Sequence, residues 1–276
     1  MIANSFRWEV NAVIGFVERQ KNLYRRYWVW EAVWLLYSLV SVVSIGYLAS
    51  GLAALGDTHF NLKETQLYLL IGSLMWSYLS MVFFEIAFSI SWERWEGTIE
   101  YTFMAPIRRA TYLLGICISS LLYGIFRAGL VGLVVAFTFR LDLSRADFLS
   151  ALAVLGASTL PLIGIGILTS LLPLLSPEKG DQMTVAVQGV LLLISGVYYP
   201  LSVLPLPLQI AGQLSPLTYT LEGIRNALLH GQHLAQSLPT ISLLALMGVV
   251  MVPASLWIFS RAEARAKRLG LLKRSG

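Results

Sequence analysis

Five stretches of this chain run for more than twenty residues with at most one charged side chain each: residues 28–55, 66–92, 111–139, 148–175 and 238–260. An α-helix rises 1.5 Å per residue, so about 20 apolar residues cover the roughly 30 Å hydrocarbon core of a bilayer. Composition agrees with that reading. Hydrophobic residues make up 57% of the 276 residues and charged ones 13%, against about 25% charged in an ordinary soluble domain. Mean hydropathy is +0.70. A cytosolic enzyme, a disordered regulator and a disulfide-stapled secreted domain are all excluded, the last also because Cys117 has no second cysteine to pair with. A sixth stretch, 182–199, is shorter and runs into a Pro-rich segment. The expectation is an all-α, polytopic integral membrane protein with six transmembrane helices, forming one transmembrane domain over residues 1–276.

The segment ahead of residue 28 is polar and periodic and lacks a short apolar run with a small-residue cleavage site, so the first span is expected to stay as an anchor. Orientation follows from Lys and Arg. One side collects Arg7, Arg19, Lys21, Arg25, Arg26, Arg94, Arg108, Arg109 and Lys179, with Arg261, Arg265, Lys267, Arg268, Lys273 and Arg274 from a basic tail over 261–276. The other side has Lys63, Arg140, Arg145 and Arg225. Fifteen against four puts both termini in the cytoplasm, and an even number of spans gives the same result. The net charge of +5 is thereby read as membrane topology, with no nucleic-acid partner.

Two segments outside the spans carry patterns. Phe6, Val10, Val13 and Val17 repeat at helical spacing with Asn11, Glu18, Lys21 and Arg25 opposite, which predicts an amphipathic interfacial helix over residues 1–27. Between the second and third spans, Trp92, Trp95, Ile99 and Phe103 share one face of a helix predicted over 92–106, with Glu93, Glu96 and Glu100 as an acidic stripe beside it. Pro106 ends the pattern and Arg108 and Arg109 mark re-entry into the bilayer. Glutamates on a basic side either pair with Arg94, Arg108 and Arg109 or form a docking surface for a soluble partner.

After the fifth span the chain is too apolar for an open loop and too interrupted, by Pro200, Pro205, Pro207 and Pro216, for one helix. Ser215 followed by Pro216 is a helix start with the serine as cap. The expectation is a hairpin of two short helices over 200–230 that dips into the outer leaflet, where irregular backbone survives only under the cover of protein or water.

Glu93-x-x-x-Gly97-Thr98-Ile99-Glu100 followed by Pro106 resembles the loop after the second span of type-2 ABC exporter permeases. Ser195 to Pro200, Leu204-Pro205, Ser215-Pro216-Leu217-Thr218-Tyr219 and Glu222-Gly223-Ile224-Arg225 resemble that family's signature before the last span. The resemblance covers essentially the whole chain. It implies that the loop is a coupling helix seated on a separate ATP-binding subunit, with Glu93, Glu96, Gly97, Thr98, Glu100 and Pro106 in the coupling site. It also implies an outer gate built on Pro200, Pro205, Pro216, Glu222 and Arg225. The chain departs from the pattern at Tyr101-Thr102-Phe103, where a leucine-rich turn is common, and it carries no fused domain.

The chain has no G-x-x-x-x-G-K-[ST] loop, so no catalytic residue and no cofactor are assigned to it, and ATP and Mg belong to the partner subunit. Two copies about a twofold axis would enclose the path of an amphipathic substrate such as a drug, a lipid or a lipid-linked glycan. The location implied is the plasma (inner) membrane. A channel or secondary carrier that works without ATP is the alternative; an importer permease and a membrane-embedded enzyme lack their loop and their catalytic clusters.

Charged groups within spans are functional candidates. Glu31 lies near the inner surface, Glu85 about 10 Å deep and Arg127 about 24 Å deep by helical rise, too far apart to pair directly. Glu85 and Arg127 are assigned to the substrate path or to intramembrane pairing. His230 and His233 lack a third ligand and are assigned to a solvated loop, so no metal site is expected.

Overall fold

The computed structural model describes residues 2–54, 62–141 and 146–271. Every element among them is helical. The chain opens with α1 (Ile2–Arg26) and α2 (Trp28–Ala54), then α3 (Leu62–Ala87), followed by the short α4 (Ser89–Glu96) and α5 (Ile99–Met104). Next come α6 (Arg109–Phe139), α7 (Phe148–Leu175) and α8 (Gly180–Ile194). A 3-10 turn at Leu201–Val203 leads to α9 (Leu206–Leu214), α10 (Pro216–Leu229) and the long α11 (Leu234–Arg268).

Among the described residues, five helices are long and apolar enough to cross a membrane: α2, α3, α6, α7 and α11. In hydrocarbon an unpaired peptide group has no water to turn to, and an unbroken helix satisfies all its interior groups within itself. The expected sixth span differs. Its helix, α8, has 15 residues, about 22 Å of rise, and breaks at Ser195 and at Gly196, which takes φ +67°. Leu55, the last residue of the expected first span, and Arg145, Lys273 and Arg274 lie outside the described residues.

α3 sits centrally against α2, α6, α7 and α10, and α7 and α11 pack together most extensively. That pair depends on small residues: a Cβ built on Gly248 would stand 2.3 Å from the Leu160 Cβ. Close backbone approach of this kind is how helices associate where lipid is as apolar as the interface. The main core gathers Tyr78, Leu79, Val82 and Ile86 of α3, Ile90 of α4, Ile99 and Phe103 of α5, Tyr112 of α6 and Phe259 of α11. α1 lies along α6, with Phe16 edge-on to Tyr112 at 5.3 Å between ring centroids.

Two boundaries depart from expectation. The helix predicted over 92–106 is two helices, because Gly97 takes the left-handed conformation (φ 73°), ends α4 and turns the chain into α5. A β-branched side chain is strained there, so Gly97→Val is expected to lower stability by about 1–2 kcal/mol, read as a fall in the melting temperature of the detergent-solubilised chain. The basic tail predicted from 261 is, as far as Arg268, a continuation of α11, with Ala262, Glu263 and Ala266 buried. The final residues, 272–276, lie outside the described residues.

Candidate functional site

Near the C-terminal ends of α7 and α11, charged side chains tie α4 and α5 to α1, α6, α7, α8 and α11. Arg19 of α1 places one guanidinium nitrogen 2.5 Å from Glu93 Oε1 and the other 3.0 Å from Glu96 Oε2. The second nitrogen also donates to Thr98 Oγ1 at 3.1 Å. Glu93 is 3% exposed, and its remaining oxygen accepts from the Thr98 and Thr102 hydroxyls at 2.5 and 2.9 Å. Burial works against the Arg19 charge, and the carboxylates of Glu93 and Glu96 more than offset it, raising its pKa above the ordinary arginine value.

Arg94 and Arg109 do a different task. The last carbonyls of a helix have no intrahelical donor. Arg94 donates to the carbonyls of Pro173 and Leu174 at the end of α7, and at 3.0 Å to that of Leu271 beyond α11. Arg109 donates to the carbonyls of Thr102 and Phe103 at the end of α5, at 2.9 and 2.5 Å. Its Nε bonds Glu263 of α11 at 2.9 Å, and Lys267 closes on the same carboxylate at 2.8 Å. Glu9 accepts from Thr111 and lies 3.6 Å from Arg108. Two of the three glutamates of the acidic stripe, Glu93 and Glu96, therefore pair with α1 and not with Arg94, Arg108 or Arg109.

This changes what the stripe presents outward. Glu93 is buried and Glu96 is largely covered by Arg19, so neither carboxylate faces a partner directly. Glu100 and Pro106 are exposed, and the open surface is completed by Trp95 (61% exposed), Tyr101 (79%) and Met104 (84%).

Beside the joint, α1, α2, α3, α4, α6 and α8 surround a cavity of about 450 Å³. Glu85 lies on its wall and accepts from Tyr24 of α1 at 3.2 Å; Glu31 accepts from Tyr123 of α6 at 2.5 Å. Tyr24 and Tyr123 stack with centroids 4.3 Å apart, so the two carboxylates hang from one aromatic pair. Arg127 donates to the Trp34 carbonyl and the Ser38 hydroxyl of α2 and forms no ion pair with Glu85, as depth along the helices implies. Asp181 accepts from Ser91 at 2.5 Å, tying α8 to α4.

At the opposite end, Pro200 precedes the 3-10 turn, Pro205 precedes α9 and Pro216 opens α10, the two short helices that the proline spacing predicts. Ser215 stands at the cap position, but its side chain makes no cap hydrogen bond and lies 3.5 Å from Ser195 Oγ. Arg225, 6% exposed, donates to the carbonyls of Gly196 and Val197 at 2.8 and 2.5 Å and lies over the Tyr68 ring at 3.6 Å. With exposed Glu222 it lines a second cavity of about 310 Å³. His233 caps α11 and bonds Asp147, the cap of α7, at 3.0 Å.

Sequence reasoning missed Arg19, which it counted only as one of fifteen cations. A signal was available: Phe16, Arg19, Gln20, Leu23, Tyr24 and Tyr27 all line the large cavity and lie at helical spacing.

The family model of the ABC-2 type transporter matches residues 14–229. The chain belongs to the ABC-2 type transporter family. No curated protein matches it. The family match runs from within α1 to the last residue of α10, so it takes in Arg19, α4, α5, the large cavity and the proline-marked helices, while Glu263, Lys267 and Leu271 lie beyond it. The permease is a membrane protein of this family, and its α4–α5 joint ties α1, α6, α7 and α11 together through arginines.

Proposed function

We propose that the permease is the membrane subunit of an ATP-driven exporter, docked through α4 and α5 on a separate ATP-binding subunit. The observation that carries this reading is the joint itself. A push on the open face of Glu100, Tyr101 and Met104 passes through Arg19 to α1, through Arg94 to α7 and α11, and through Arg109 to α6 and α11. Packed elements with fixed polar contacts move as units rather than deforming continuously. ATP and Mg bind the partner, and their closure drives α4–α5 inward.

In this reading both termini and the joint are cytoplasmic, in line with the distribution of Lys and Arg. α8 with the chain that follows it makes the sixth crossing in the plasma (inner) membrane, and α9 and α10 form the re-entrant outer gate held by Arg225. Two copies, a homodimer, enclose the path of an amphipathic substrate; drugs, lipids and lipid-linked glycans all suit it.

The test is co-expression with a candidate ABC ATP-binding subunit. Glu100→Arg with Tyr101→Ala is expected to reduce recovery of the complex and its ATP hydrolysis about tenfold or more, the loss that follows removal of anchors from an interface centre, while the permease keeps its melting temperature. A complex recovered and active at the parent level would overturn the docking assignment. Glu96 is unsuited to this test because its removal also loosens Arg19.

A further inference from the structure

The large cavity carries charges that the joint does not neutralise. Its wall holds five carboxylates, Glu31, Glu85, Glu93, Glu96 and Asp181, and one cation, Arg19, which is spent on Glu93 and Glu96. Glu31 and Glu85 receive only phenol hydroxyls. Arg127 is near enough for its charge to act on Glu85, but its guanidinium is hydrogen-bonded to α2 and it is not on the wall. Much of the rest of the lining is aromatic, with Tyr24, Tyr27, Trp30 and Trp95 among it, the two indoles standing at its open rim. Aromatic faces attract a cation through their quadrupoles, most strongly where water is excluded, and a carboxylate supplies the opposing charge. A volume of about 450 Å³ lies within the range of small-molecule pockets. An anion meets repulsion from every uncompensated group there, and a small hydrated metal ion gains little from indole and phenol walls.

We propose that this cavity binds an amphipathic organic cation, an alkyl- or aryl-substituted ammonium or phosphonium, with its charge between Glu31 and Glu85 and its apolar groups on the rings of Tyr27, Trp30 and Trp95. The chemistry is shared by a soluble lipophilic cation and by the choline headgroup of a lipid. This inference deepens the exporter reading by naming its substrate class, and rests on that reading only for the claim that the bound cation is cargo.

The test uses the purified full chain in maltoside micelles without any ATP-binding subunit, so binding is read independently of docking. Equilibrium dialysis with radiolabelled tetraphenylphosphonium, corrected for empty micelles, is expected to give saturable one-site binding. Tetraphenylborate, the anion of the same shape, is expected to bind at least about tenfold more weakly. Glu85→Gln and, separately, Trp30→Ala are each expected to weaken binding of the cation about tenfold. Trp30 is 55% exposed, so its replacement leaves the fold intact even where Glu85→Gln does not. Displacement by added phosphatidylcholine but not phosphatidylglycerol supports a headgroup occupant; displacement by neither supports a soluble cation. Equal binding of the two tetraphenyl ions, or an unchanged affinity in the Trp30 variant, overturns the proposal. Cation binding in a chain that fails the docking test leaves this site standing and removes only the exporter reading.

Discussion

Replacing Arg19 by alanine is expected to destabilise the detergent-solubilised chain by about 3 kcal/mol, the low end for breaking a buried ion pair. The low end applies because the Arg19 side chain is 31% exposed while that of Glu93 is 4% exposed. Most of the loss comes from Glu93, left charged, buried and served only by two threonine hydroxyls. Adding Glu93→Gln to Arg19→Ala should therefore recover at least half of it, since the amide keeps an oxygen for those hydroxyls and sheds the charge. The four melting temperatures of this cycle isolate the pairing energy. A single variant within 1 kcal/mol of the parent, or a double variant no better than the single one, would show that α1 is not held by this pair.

A second large effect is expected at Arg94. Alanine there removes the donors to the Pro173, Leu174 and Leu271 carbonyls together. At roughly 1–3 kcal/mol for each buried group left unsatisfied, the expected loss is at least about 3 kcal/mol, with faster proteolysis of the chain beyond α11. Lysine is expected to rescue less than half, because one ammonium on a flexible stem does not reproduce a planar fork aimed at several acceptors. Full rescue by lysine would mean that charge alone matters at this position.

These two arginines mark where sequence reasoning reaches its limit. The membrane helices are legible because hydropathy acts along the chain: residues 148–175 are the same twenty-eight residues in the sequence and in α7. Pro200, Pro205 and Pro216 announce the breaks around α9 and α10 for a similar local reason, since each lacks the donor a helix needs. Gly97 is legible as part of a motif but not as a break, because the conformation it adopts depends on how α4 and α5 pack. Arg19, Arg94, Arg109 and Arg225 are legible only as charges. Counting them assigns sides of a membrane; what they do instead is satisfy carbonyls and carboxylates between 6 and 177 residues away, and no periodic pattern encodes a partner at that distance. The same holds for the cavity, whose wall draws on six helices.

The length of α11 has a practical side. Its 35 residues rise about 52 Å, some 20 Å more than a hydrocarbon core requires, and the excess ends in the carbonyl of Leu271 on Arg94. What reads as a disposable polar extension is the latch of the bundle. Trimming the chain back to the last apolar residue of the span would keep every membrane helix and still remove Glu263 from Arg109 and Leu271 from Arg94, so a shortened permease would insert normally and lose the rigidity of the end that carries α4 and α5.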